Sequence, residues 1–314
     1  MFATPGYAAL EEREGRRAAL EAGIRLAFRP DLEAQRDSVL RIGSWTARVI
    51  DHMLSLSSRR DSLTRLRHQL ARSDVLGSSL ALVQQLLPPE TVARLGSPAV
   101  AFVFFLPDGR GYPTIIVADL ANVAGRRDPT AFFAHEAMHF YYGRLSRERE
   151  GASPDTVNGE SALESLMTKL FEESLGDQFD KASALELSER EFATMPMTEG
   201  WRGFMSEYRR EYAHAAEDLG ALNRSLSAVA SDSAELEAEA RRIADSLPLE
   251  GRPIGFFITR TIRRQLGDAR LASTVGSPRG WLRAYREAAR MSGCRCPTLD
   301  QSWTGRVGGR TGSE

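Results

Sequence analysis

The chain has 314 residues, 42% of them hydrophobic and 26% charged, with 41 basic and 42 acidic side chains for a formal net charge of −1. That length is ample to bury a core, and the composition is that of an ordinary globular protein. The near-neutral charge excludes nucleic acid or an anionic membrane as a partner recruited by bulk charge.

No apolar run is long enough to span a bilayer, and the opening "MFATPGYAALEEREGRR" lacks the basic-then-apolar layout of a signal peptide. A cytoplasmic protein is expected on the sequence as given, or an exported one if a leader has been removed. Residues 8–95 predict helices: "SVLRIGSWTARVIDHML" and "LGSSLALVQQLL" repeat apolar positions at helical spacing, and Pro88–Pro89 breaks the pattern. His52 and His68 fall within these helices and are expected to be structural or surface groups. Composition then changes. "AVAFVFFL" (99–106) and "PTIIVADL" (113–120) are rich in β-branched and aromatic residues. With "PDGRGY" as the turn between them, they predict a β-hairpin at the edge of a small sheet.

After the loop "NVAGRRDP", Asp128 suits an N-cap and Pro129 the first residue of a helix running to about Gly143. "SREREGASPDTVNG" predicts a polar loop. Ser161 and Glu164 then form the S-x-x-E capping box of a helix reaching about Asp180. Helical patterns continue from about 187 to 246, and "IGFFITRTIRRQLG" and "GWLRAYREAARM" predict two more helices. The stretch from Met291 is Gly-, Ser- and Arg-rich and predicts a flexible tail. Cys294 and Cys296, the only cysteines, sit too close in sequence for an unstrained bridge and are expected to be incidental. The fold class is α+β and predominantly helical, with an N-terminal helical region (1–95), a domain holding the small sheet (96–290) and the tail (291–314).

The chemistry lies in "DPTAFFAHEAMHFYYGRL" (128–145), where His135, Glu136 and His139 spell H-E-x-x-H within an apolar segment. Residues four apart share one helix face, so two imidazoles can reach a single metal ion. Glu136, one step round the helix, can act as general base towards an attacking water and later as acid towards the leaving amine. Hydrogen-bonded core histidines are the alternative. Against it, the chain has only five histidines, and burying all three groups uncompensated costs several kcal/mol. A catalytic zinc takes three protein ligands. Position 145 is Leu, so the HExxHxxGxxH pattern is absent. The next helix carries "LFEESLGDQF". With an apolar stripe of Leu163, Leu166, Met167, Leu170 and Ser174, helical phase turns Glu172 to solvent and puts Glu173 at the stripe's edge. Glu173 is the expected third ligand, and Asp177, one turn on, the carboxylate that receives the free N–H of a ligand histidine.

His135-Glu136-x-x-His139 followed by Glu173-x-x-x-Asp177 resembles the gluzincin zinc metallopeptidases, the thermolysin-like clan. "HEAMHF", "EESLGD" and "PIGFFITRTIRRQLGDARLASTVGSPRGWLRAYREAAR" are similar to a group of uncharacterised bacterial proteins described as zinc-dependent proteases. The resemblance spans about residues 95–290. It implies a zincin-like core with a small sheet beside the HExxH helix, Zn2+ as cofactor, and a peptide or protein as substrate. In that clan Asn precedes the third ligand, where this chain has Glu172. The clan also stabilises the oxyanion with a downstream donor; Tyr285 is the candidate, with Tyr212, His214 and Arg260 behind it. A sheet edge beside the active helix binds extended substrate by main-chain pairing, and "PTIIVADL" is the candidate strand, the alternative being a core strand. Two rival readings remain: a non-catalytic helical binding protein with a structural or vestigial zinc site, and a zinc hydrolase of a non-peptide amide or ester.

Overall fold

Two β-branched stretches, 99–103 and 115–119, form the centre of the first of two compact units. The structure is a computed structural model and describes residues 4–126, 129–150, 161–291, 293, 294 and 296–308. Helices α1 (Pro5–Glu14), α2 (Arg17–Phe28), α3 (Glu33–Ile42), α4 (Trp45–Leu56) and α5 (Arg60–Leu70) open the chain, and α6 (Val75–Val83) and α7 (Pro89–Leu95) follow. The sheet comprises β1 (Ala99–Val103), β2 (Gly109–Gly111) and β3 (Ile115–Asp119) in the order β1-β3-β2. β3 pairs in parallel with β1, from Ala99↔Ile115 to Val103↔Asp119, and antiparallel with β2, from Gly109↔Ala118 to Gly111↔Ile116.

The expected hairpin of β1 with β3 is therefore corrected. The hairpin joins β2 to β3 and turns at Pro113–Thr114, where the Tyr112 N–H donates to Ile115 O at 2.9 Å and the Ile115 N–H returns to Tyr112 O at 3.3 Å. Proline at the second position of such a turn is already set at the required φ. Residues expected to be a turn are themselves a strand. "PTIIVADL" is central, with both its edges paired, and cannot present an edge to a substrate.

Strand pleating sends alternate side chains to opposite faces. Ala101, Val103 and Val117 meet α1, which lies so close that a Cβ on Gly6 would sit 2.7 Å from Val103 Cγ1 and 2.9 Å from Ala101 Cβ. Phe102 points the other way, its ring edge-on to Phe133 with centroids 6.1 Å apart. Asp119 ends β3 and caps α8 (Leu120–Ala124): its Oδ1 accepts from the Ala121 and Asn122 N–H groups, its Oδ2 from the Phe105 N–H at 3.1 Å. His52 Nε2 lies 2.8 Å from the same Oδ2, so this histidine ties α4 to the end of the sheet, the structural one of the two roles expected for it. Helix α9 (Pro129–Glu150) begins at Pro129 as expected and continues past Gly143. Asp128 and residues 151–159 of the expected polar loop lie outside the described residues.

The second unit is helical. Its elements include α10 (Ala162–Asp180), α11 (Ala182–Glu186), α12 (Glu189–Thr194), α13 (Glu199–Ala228), α14 (Ser233–Ser246), α15 (Arg252–Leu266), α16 (Asp268–Ala272), α17 (Pro278–Ala288) and α18 (Gln301–Thr304). Ser161 caps α10 by accepting the Glu164 N–H at 3.1 Å. Helices α10 and α15 touch backbone to backbone at Gly255, where an added Cβ would lie 2.1 Å from Leu170 O. Beside that crossing Phe171 stacks on Trp281 at 4.8 Å. Thr259 Oγ1 accepts the Trp281 Nε1–H at 3.0 Å and is 2.6 Å from Ser174 Oγ, so the buried polar atoms there satisfy one another.

Part of the stretch expected to be a flexible tail is packed. Trp303 is fully buried and donates Nε1–H to Asn223 Oδ1 at 3.0 Å, with Leu299 and Val307 buried beside it. One large indole outweighs the Gly- and Arg-rich composition around it. Cys294 and Cys296 are joined as a disulfide, against expectation; their Cα atoms stand 5.2 Å apart, within the span a bridge allows. Among the described residues no helix is long and apolar enough to cross a membrane. The chain is α+β and predominantly helical, with one small sheet.

Candidate metal centre

Positions 135 and 139 are one turn apart on α9, which brings their imidazoles together. Their Nε2 atoms are 3.1 Å apart and their ring centroids 4.9 Å. Both are buried, at 5% and 8% exposure, and Glu136 is 5% exposed. The neighbours Ala134, Ala137, Met138 and Phe140 are core residues, so the apolar stretch does form a buried helix. Glu136 lies beneath β2. A Cβ on Gly109 would fall 2.4 Å from Glu136 Oε1, and one on Gly111 would fall 2.0 Å from Glu136 O and 2.6 Å from His139 Cβ. No side chain of β2 separates the strand from the helix.

The second set of groups stands on α10. Glu173 and Glu172 are both half-buried, so the contrast in exposure expected between them is weaker than helical phase suggested. Arg252, at the first turn of α15, lies 3.1 Å from Glu173 Oε2. Asp177 is fully buried and gripped on both oxygens: Lys181 Nζ is 2.9 Å from Oδ1, and the Tyr208 hydroxyl donates to Oδ2 at 2.6 Å. Lys181 also reaches Asp180 at 2.8 Å and lies over the rings of Trp201 and Phe204. Burial opposes the charge of Lys181, but Asp177 and Asp180 outweigh it and hold the ammonium above its ordinary range. Burial, and then the Asp177 charge, push the Tyr208 hydroxyl well up, so it stays a proton donor.

Among the described residues two sets of side chains have the chemistry to hold a metal ion: His135 with His139 and Glu173, and His135 with Asp177 and Asp180. The donor set suits zinc. Two nitrogens bound tetrahedrally at about 2.0–2.1 Å would stand roughly 3.3 Å apart, close to the 3.1 Å found. The same spacing would serve an N–H···N hydrogen bond between the two rings. Buried nitrogen donors with a carboxylate are the set from which catalytic zinc sites are built.

Tyr285 was the expected oxyanion donor. It is fully buried and its hydroxyl donates to Pro297 O at 2.9 Å, pinning the C-terminal segment. Of the other candidates, Arg260 pairs with Glu186, Tyr212 packs edge-on to Phe256 with centroids 5.4 Å apart, and His214 is exposed 3.5 Å from Glu217. Sequence reasoning missed Lys181, Tyr208 and Arg252. Only Lys181 carried a signal, as one of the chain's two lysines placed four residues after Asp177.

Residues 1–293 match the model of a family described as "Putative zinc dependent peptidase (DUF5700)". No curated protein and no solved structure matches the chain.

Proposed function

We propose that this chain, which belongs to the DUF5700 family, is a zinc-dependent metallopeptidase of the gluzincin pattern, with a zincin-like core around α9. The observation that carries the reading is the pair of buried imidazoles, Nε2 to Nε2 at 3.1 Å, with an acid between them in sequence and Glu173 as the grouping's carboxylate. His135, His139 and Glu173 would hold the metal. A zinc ion held there would supply Lewis acidity towards the scissile carbonyl and the attacking water.

Glu136 takes the proton of the attacking water and delivers it to the leaving amine. Arg252 orients the Glu173 carboxylate. Asp177, held by Lys181 and Tyr208, receives the N–H of His135 and fixes which imidazole nitrogen is left bare for the metal. An extended peptide pairs with the outer edge of β2, the sheet's terminal strand, which lies over the Glu136 turn.

The test uses variants with separable outcomes. Glu136→Gln is expected to retain zinc by elemental analysis and to lose peptide hydrolysis by about 100-fold or more. His139→Ala is expected to lose both, and a chelator to silence the wild type reversibly. A Glu136→Gln protein with wild-type peptidase activity would end this reading.

A further inference from the structure

The chain's first helix ends on a carboxylate that reaches the strand covering Glu136. Arg110 donates Nε–H to Glu14 Oε1 at 2.8 Å, and the Tyr112 hydroxyl donates to the same oxygen at 3.0 Å. Arg110 also pairs with the Asp108 carboxylate and donates Nη1–H to Gly109 O at 2.7 Å, while Asp108 Oδ1 accepts the Gly109 N–H at 2.9 Å. β2 is only three residues long and belongs to a three-stranded sheet, so its ladder to β3 holds it weakly. Glu14 therefore anchors the middle of the strand and the residue after it from the α1 side. Alternation puts the Arg110 side chain on that face and leaves Gly109 and Gly111 on the face towards α9.

That second face touches the proposed catalytic base. At Gly109 a Cβ would fall 2.4 Å from Glu136 Oε1 and 2.5 Å from Phe132 Cζ. At Gly111 it would fall 2.0 Å from Glu136 O. The first contact is with the carboxylate itself, the second with the backbone that carries it. An acid that hands a proton between two reacting atoms must be held to well within an ångström, and a misplacement of about 1 Å costs about 100-fold in rate. Helix α9 alone does not restrict the outer torsions of a glutamate so narrowly.

We propose that β2 is a positioning element for Glu136: Gly109 forms the wall against which the carboxylate rests, Gly111 packs on the backbone that carries it, and Glu14, Arg110 and Tyr112 clamp the strand in place. The first helix of the chain thereby contributes to catalysis without touching substrate or metal. The inference rests on the reading of Glu136 as the general base and adds what holds that base.

Three variants test it: Gly109→Ala, Glu14→Ala and Glu14→Gln, the last keeping an oxygen acceptor for Arg110 and Tyr112. Each is assayed for zinc content, for kcat and KM on a peptide the wild type cleaves, and for amide hydrogen exchange of residues 109–115. Gly109→Ala is expected to keep its zinc and a KM near wild type while kcat falls about 100-fold. Glu14→Ala is expected to keep its zinc, speed exchange of 109–115 about tenfold and lower kcat, with Glu14→Gln recovering most of both. Wild-type kcat in Gly109→Ala, zinc loss accounting for its defect, or unchanged exchange in Glu14→Ala would each overturn the inference. If Gly109→Ala does not fold, the exchange and kcat of Glu14→Ala decide. If the zinc-loaded wild type cleaves no peptide, the functional reading fails instead, and the exchange experiment still decides whether the clamp exists.

Discussion

Replacing Tyr208 by Phe removes one oxygen and tests how Asp177 is held. Tyr208 is fully buried on α13, and its hydroxyl donates to Asp177 Oδ2 at 2.6 Å, 31 residues away in sequence. The ring stays, keeping its edge-on contact with Phe256 at 6.3 Å, so the change creates almost no cavity. What is lost is a buried hydrogen bond to a charged acceptor, worth about 1.5–3 kcal/mol. For a unit of this size each kcal/mol shifts the midpoint by roughly 2–4 °C, so thermal unfolding should come about 3–12 °C earlier. Lys181 still holds Oδ1 at 2.9 Å, but the contact that fixes Oδ2 is gone. If Asp177 orients His135, zinc affinity should also fall about 10- to 100-fold, the usual cost of losing a partner behind a metal ligand. Differential scanning fluorimetry with and without zinc, and competition against a chelator of known affinity, read the two effects separately. A midpoint within about 1 °C of wild type together with unchanged zinc affinity would refute the reasoning.

At the crossing of α10 and α15, Gly255→Ala would force a Cβ to within 2.1 Å of Leu170 O; because neither backbone can yield cheaply, a loss of about 3 kcal/mol or more, or failure to fold, is expected by denaturant titration. Gly203→Ala on α13 meets nothing within 4 Å and serves as the control, expected to gain about 0.5–1 kcal/mol. Alkaline pH should weaken the fold. Lys181 and Tyr208 both titrate higher in the folded protein than in the unfolded chain, so their contribution is complete below pH about 10 and is lost as pH rises through the folded values. Urea midpoints should be flat from pH 8 to about 10 and fall beyond it, and Tyr208→Phe should fall less steeply.

The parts of the site that lie within one helix were legible. His135 and His139 stand one turn apart on one face of α9 with Glu136 beside them, and Ser161 announces the start of α10. What the sequence hid was what other elements bring to those helices. β2 consists of two glycines and an arginine, so it has neither the apolar alternation nor the β-branched residues by which strands are recognised; it reads as a turn, and the register of the sheet was misread with it. Glu14 meets Arg110 across 96 residues, and Tyr208 meets Asp177 across 31. Such pairs leave no periodic trace. Trp303 was lost in a polar tail because composition averages over a window, whereas docking needs only one side chain that finds a pocket.

Glu136 also separates a catalytic centre from a structural one through stability. A structural zinc site needs only its ligands, and any further buried acid there has to earn its place by bonding. In a catalytic site a base buried to 5% exposure is kept for its reactivity, at a cost in desolvation that folding must offset. Glu136→Gln keeps the shape against Gly109 and removes the charge. If the acid serves catalysis, the zinc-loaded variant should unfold at the same temperature as wild type or a few degrees higher, by about 1 kcal/mol, while hydrolysis disappears. If the carboxylate is instead a fixed partner in a structural network, removing its charge should cost about 2 kcal/mol or more. The direction of that shift, read by calorimetry on the zinc-loaded proteins, decides between the two without reference to any substrate: a clear loss of stability in Glu136→Gln would make the centre structural.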